Sequence, residues 1–205
     1  RIFFKASKGV TLDAGSTTSA NGPQGGQIKI QSESGTTLVS GTITAIGNDV
    51  KGGDIQLLGN HVGMIDNAQV DASGRTGGGT VLVGGDYQGK NPDVQNAERT
   101  LIGPDSVIRA DARTTGDGGR VIVWADGDTR FFGSLSARGG SQSGNGGFAE
   151  VSGTATNIEG RVSVLNQKVT GTGTARADWM LAAELSRRLG HDLGDGSRVK
   201  ITRSR

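Results

Sequence analysis

The sequence predicts an all-β chain wound as a parallel β-helix of about six coils, followed by a short C-terminal helix and strand. Three observations carry the prediction. Glycine pairs recur ahead of short alternating apolar stretches, the recurrence has a period near 27 residues, and glycine supplies 37 of 205 residues against only 3 prolines. A glycine share so far above the usual level of about 7%, without a collagen triplet, points to many corners.

The fullest copy is residues 117–140, DGGRVIVWADGDTRFFGSLSARGG. With its glycine pair as zero, Gly26 leads to Ile28 and Ile30, Gly53 to Ile55 and Leu57, Gly79 to Val81 and Val83, Gly119 to Val121 and Val123, and Gly147 to Ala149 and Val151. A second column reads Leu12/Ala14, Ile43/Ala45, Val70/Ala72, Ile108/Ala110, Leu135/Ala137 and Val162/Val164. Alternation of period two points one set of side chains inward in each strand, and stacking the copies makes the inward sets into columns. Each copy predicts three short strands and three tight corners, with WADGD as a polar turn between the first two and the glycines expected to serve φ > 0. One rung could not stand alone, since ordering about 20 residues costs more entropy than five or six buried aliphatics return.

In chain order, residues 2–6 and 10–14 end a first rung, and residues 15–26 are a corner followed by a turn. A whole rung spans residues 27–47, with its middle strand at residues 37–39, and the next spans residues 54–74. The β-helix is expected over residues 1–168, interrupted by a polar insertion at about 84–100 (GGDYQGKNPDVQNAERT) in the fourth rung. Residues 169–177 read as a linker. Over Asp178–Leu189, Leu181, Leu185 and Leu189 share a helical face, Asp178 suits a cap and Gly190 a stop. Residues 197–202 alternate as a strand, and this tail is expected to cover an open end of the stack or to begin a further segment.

The outward column Lys29, Gln56, Leu82, Ile122, Glu150 turns apolar at Leu82 and Ile122, beside the insertion, and Trp124 is the next outward position. The expected answer is that the loop, through Tyr87 or Val94, folds over Leu82, Ile122 and Trp124. The rival is an apolar patch left for a partner. Tyr87, Trp124, Leu82 and Ile122 are therefore the candidate binding residues.

Charge excludes little beyond nucleic acid. The chain carries 22 basic and 20 acidic side chains, and residues 176–205 hold 7 Lys/Arg against 4 Asp/Glu, so the body has no basic face of the kind nucleic acid needs. Absence of cysteine removes disulfides and thiolate metal sites. No run of 18 apolar residues could span a membrane. The chain opens at Arg1 directly into IFFKAS, without a methionine or signal peptide, and reads as a piece of something longer.

For catalysis the carboxylates Asp86, Asp126 and Asp128 are the candidates, since paired acids about 5–10 Å apart perform glycoside hydrolysis. In WADGDT, however, Asp126 and Asp128 suit a corner, where Asp is common. The calcium nonapeptide pattern is not matched, and His61 and His191 stand far apart without a second ligand nearby. No nucleophile elbow, Walker loop or dinucleotide fingerprint is present, so the expectation is a non-enzymatic scaffold with no cofactor and no metal.

Residues 78–153 contain V-GGDYQG at 83–89, GDGG-VIVWAD at 116–126, F-G-SARGG at 132–140 and GGF-EVSG at 146–153. These motifs resemble the filamentous haemagglutinin and high-molecular-weight adhesin family of bacterial two-partner-secretion exoproteins. The resemblance implies a right-handed β-helix and a secreted protein on the bacterial surface, associated with the outer membrane. It further implies export in the unfolded state through an outer-membrane barrel transporter, contacted by a domain outside this chain. Members of the family act as adhesins, haemolysins or toxin carriers. The reading is a stalk and adhesive surface for a host glycan or protein receptor; the alternatives are a polysaccharide-degrading β-helix enzyme and an inert spacer.

Overall fold

The structure, a computed structural model, describes residues 1–159 and the backbone of 161–163. Six coils are stacked in it. The first comprises β1 (Ile2–Ala6), β2 (Gly9–Leu12) and β3 (Thr17–Ser19), the second β4 (Gln27–Ser32), β5 (Thr36–Val39) and β6 (Thr42–Thr44), and the third β7 (Asp54–Leu58), β8 (His61–Met64) and β9 (Gln69–Asp71). The fourth has β10 (Thr80–Val83), β11 (Arg99–Ile102) and β12 (Val107–Arg109), the fifth β13 (Arg120–Phe131) and β14 (Ser134–Ser136), and the sixth β15 (Phe148–Ile158) and β16 (Arg161–Ser163). Every strand pairs in parallel with its counterpart in the neighbouring coil, which makes the chain a parallel β-helix.

The coils present three faces. β1, β4, β7 and β10 form the first, β2, β5, β8 and β11 the second, and a six-stranded sheet from β3 to β16 the third. The first two merge at the fifth coil, because β13 runs unbroken past both: Thr80–Val83 pair with Arg120–Val123, and Arg99–Ile102 with Asp128–Phe131. The polar turn expected at WADGD is thus extended strand, with one irregularity between Ala125 and Asp128. The cause lies outside this segment. Asp126 N–H donates to the Ala97 carbonyl, and Gly127 and Asp128 N–H to that of Glu98, so the returning insertion holds these residues straight.

The inward columns are those of the alternation. Ile28, Ile55, Val81 and Val121 are fully buried in one, and Ile30, Leu57, Val83 and Val123 in the next. One column needs correction. Leu12 does not stand above Ile43; it heads Val39, Met64, Ile102, Phe131 and Ile158, whereas Thr18 stands above Ile43, Val70, Ile108 and Leu135. Residues 15–26, expected to be corner and turn, contain β3, whose TTS sequence has no apolar alternation to reveal it.

One inward column of the core is mostly polar, with Val62 alone apolar between Thr37 and Thr100. Thr37, Thr100 and Thr129 are buried, and their hydroxyls donate to the carbonyls of Leu58, Trp124 and Ser152, each in the coil above and at the end of its first-face segment. A hydroxyl buried without a partner would cost about 1–3 kcal/mol, and each of these three has one.

Each of the first five coils closes on one recurring bond. The N–H groups of Gly26, Gly53, Gly79, Gly119 and Gly147 donate at 2.7–2.8 Å to the carbonyls of Ala20, Ala45, Ala72, Ala110 and Ala137. The glycines are there for space and not for φ > 0. Positive φ occurs at Gly15, Gly84, Gly85, Gly89, Gly116 and Gly144, none of them in a stacked pair. A Cβ on Gly53 would collide with the Gly26 carbonyl, and one on Gly79 with that of Gly53.

Past the alanine column a second polar ladder ties three coils. Asp111 is 6% exposed and accepts from the Ser136 hydroxyl at 2.6 Å, the Arg138 N–H at 2.7 Å and the Arg138 guanidinium at 2.8 Å, while its own N–H donates to the Ser73 hydroxyl. Burial raises its pKa, but the bonds from Arg138 and Ser136 outweigh it and hold the carboxyl below its ordinary value. The helix expected over Asp178–Leu189, the strand over 197–202 and the linker lie outside the described residues.

Two tests follow from this packing. Gly79→Ala should destabilise the chain by at least ~3 kcal/mol in urea melts, whereas Gly15→Ala, with φ +81° but nothing within 4 Å of its Cβ, should cost only about 1 kcal/mol. Equal losses would mean that conformation and not space selects the glycines. Asp111 stabilises the fold fully above the ordinary carboxyl pKa of about 3.9, and that contribution disappears as pH falls through its lower folded value. Melts of Asp111→Asn should therefore lack part of the parent's loss between neutral pH and pH ~3.

Candidate functional site

The departure from the repeat is the insertion, which leaves the first face after Val83 and returns at Arg99. It spans residues 84–98; Arg99 and Thr100, placed in the loop by sequence, belong to β11. In the next two coils the corresponding strands pass straight through, so the loop stands alone at this corner among the described residues.

Beneath the loop, the outer side of the first face carries a second apolar core. Leu58, Leu82 and Ile122 are at most 3% exposed, Val94 closes over them at 8%, and Trp124 packs against the cluster. The loop thus covers the outward apolar set and does so through Val94. Leu82 and Ile122 form its seat inside the molecule and offer nothing to a partner from solution.

Trp124 is held as firmly. Its indole N–H donates to Asp126 Oδ1 at 2.9 Å, and a Cβ on Gly85 or Gly89 would lie 2.6 Å from Cδ1 or 2.7 Å from Nε1 of the ring. The loop backbone therefore lies against the indole, and both glycines also have positive φ. Asn96 Nδ2 bridges the Gly89 carbonyl and Asp126 Oδ1, both at 2.9 Å. At the far end Gln95 accepts from Gln31 and donates to the Ser32 and Glu33 carbonyls.

Asp86 anchors the loop's start. Its carboxylate caps the one-turn 3-10 segment Tyr87–Gly89 by accepting from Tyr87 N–H, accepts from Asn91 Nδ2 at 2.7 Å, and pairs with Arg120 of β13. Burial pushes its pKa up, but these three partners more than compensate and leave the carboxyl below its ordinary value.

What the loop leaves open is an aromatic pair. Tyr87 is 44% exposed and Phe148 46%, with ring centroids 5.6 Å apart and planes at 68°, an edge-to-face contact. Phe148 stands next to Arg120 in the register and was not among the residues singled out from sequence. The signal was available as an outward aromatic at the start of the sixth coil, where the preceding coils carry Gln27, Asp54, Thr80 and Arg120. Beside the pair, Gln88 donates to the Tyr87 hydroxyl and accepts from Lys90.

The acids considered for catalysis are each engaged. Asp86 faces Arg120, Asp126 Oδ1 accepts from both Trp124 and Asn96, and Asp128 accepts from Arg130 Nε at 2.9 Å. A general acid needs a raised pKa, the reverse of what surrounds Asp86. Among the described residues, no group of three or more His, Asp or Glu could hold a metal ion, and no helix is long and apolar enough to cross a membrane.

Asp86→Ala should free the first half of the loop, leaving Tyr87 N–H and the Arg120 guanidinium without their acceptor, at a local cost of about 1–3 kcal/mol. Hydrogen exchange should accelerate at Gly89 and Lys90, whose N–H groups donate within this turn, while the amides of β7 keep the parent rates. Unchanged exchange at Gly89 would show that Val94 alone holds the loop.

No protein-family model matches the sequence, and no curated protein matches it. Among solved structures, the secretion domain of HMW1 from Haemophilus influenzae is similar in fold, with a TM-score of 0.53 at 24% identity over 78% of this chain. The match covers 47% of that domain's chain, so this chain spans under half of its length. The likeness is one of fold, a β-helix of the same kind.

Proposed function

We propose that this chain is a β-helical stalk segment of a secreted bacterial exoprotein of the two-partner-secretion type, and that its insertion presents a small adhesive surface at Tyr87 and Phe148. The observation that carries the reading is the fixed loop: an ordered insertion, locked by its own core and by Asp86, holds the half-exposed Tyr87 ring against the half-exposed Phe148 of β15. Rigid rings lose little entropy on contact, which suits a glycan or a protein receptor. The fold likeness to an HMW1 secretion domain and the motifs of residues 78–153 support the assignment to exoproteins. A cysteine-free chain needs no disulfide to be made after export, which agrees with passage through an outer-membrane transporter in the unfolded state. The protein acts in this reading as scaffold and contact surface, without turnover.

Purified chain should be retained on cells or on immobilised glycans, and the double variant Tyr87→Ala, Phe148→Ala should lose about tenfold in affinity, ~1.4 kcal/mol. Retention equal to that of the parent would remove the aromatic pair from the proposal, and release of reducing ends from a glycan would replace scaffold with enzyme. Protease added to intact cells that carry the parent exoprotein should cleave this segment; protection would contradict its placement outside.

A further inference from the structure

On the outer side of the second face, away from the loop, lies a trough of about 470 Å³. Parallel register sets Thr36, His61, Arg99 and Asp128 in one outward row and Leu38, Gly63, Leu101 and Arg130 in the row beside it. Gly63 breaks the second row, because it contributes no side chain between two leucines. The tip of Leu38 leans over it, as a Cβ on Gly63 would lie 2.9 Å from Leu38 Cδ1. Leu101, 38% exposed, stands on the other side. The leucines are two strand spacings apart, about 9–10 Å, which is room for one sugar ring on an aliphatic floor.

Charge in the trough is unbalanced. Asp128 lies opposite Arg99 in the register, yet its Oδ2 accepts from Arg130 Nε on its own strand. Arg99 makes none of the four ion pairs formed among the described residues. The residue lines the trough, its side chain makes no hydrogen bond among the described residues, and His61 stands next to it in the row. A guanidinium presents parallel N–H donors that match a carboxylate in two-point geometry. The two ends of the same row supply what hydroxyls need, with the Thr36 hydroxyl and Asp128 Oδ1 available to donate and accept. The volume falls within the range of about 300–1,000 Å³ typical of small-ligand sites.

We propose that this trough is a binding site for a carboxylate-bearing saccharide, with Arg99 pairing the carboxylate, His61 and Asp128 bonding ring hydroxyls, and Leu38 and Leu101 contacting the ring's C–H face. The site lies on a different face from the aromatic pair and operates independently of it.

Calorimetric titration of the whole 205-residue chain with tetragalacturonate, and with the same oligomer fully methyl-esterified, tests this. The acid form should bind and the ester at least about tenfold more weakly, since the ester keeps the ring and removes the anion. Arg99→Gln, an exposed substitution, should weaken the acid form by about tenfold or more, and Gly63→Leu, which fills the trough, should weaken both forms. Tyr87→Ala should leave the titration as in the parent. Absence of binding up to about 10 mM, equal binding of acid and ester, or indifference to Arg99→Gln would each overturn the proposal. Loss of binding in Tyr87→Ala would move the saccharide site to the loop.

Discussion

The bond between an alanine carbonyl and a glycine N–H at the close of each coil is the constraint on which the rest of the stack depends. It joins residues six to ten apart in sequence, from Ala20 with Gly26 to Ala137 with Gly147, and so makes a neck of constant geometry under a loop of variable length. The glycine carbonyl beyond the neck then accepts from the next coil, as Gly26 does from Asp54 and Gly53 from Thr80. Closure and stacking therefore share one pair of residues, with no space left for a side chain between successive layers. Registration of Ile28, Ile55, Val81 and Val121 follows, because β4, β7, β10 and β13 each start from the same anchored point.

Once the necks are set, the corners are free to differ. Fifteen residues leave the first corner of the fourth coil and return without shifting β11 from its place between β8 and β13. Their ordering is compensated locally by Leu58, Leu82, Ile122 and Val94, which form a core separate from the central one. The buried Asp86 carboxylate does for the loop what Asp111 does for the third corner: each gathers an arginine from a later coil and donors from its surroundings, and so ties layers that apolar contact alone would leave free to slide.

The fold was legible in the sequence wherever burial produced alternation, and illegible where polar residues met the same need. Val81 and Val83 announce a strand; Thr17–Ser19 forms one in which Thr18 takes the inward position above Ile43, with no apolar side chain to mark it. Thr37, Thr100 and Thr129 are inward yet polar, each hydroxyl donating to a carbonyl of the next coil, a match that requires the three-dimensional stack to be seen. WADGD looked like a turn from its composition and is strand because of backbone bonds from residues about 30 positions earlier in the chain. At the site, the apolar run Leu82, Ile122, Trp124 disclosed a covered face, but Leu58 and Phe148 sit at register positions where no neighbouring coil repeats the type, so no column pointed to them.

The coils are joined to each other by parallel strand ladders, and the chain enters at the first layer and proceeds layer by layer to the sixth. A pull along the stack would therefore load the outermost ladder alone, peeling one turn before the next is strained. Each turn of about 27 residues would release roughly 90 Å of extended chain. A stack of this construction would lengthen in discrete steps under tension and rewind when slack, giving way gradually where a single cooperative core would yield all at once.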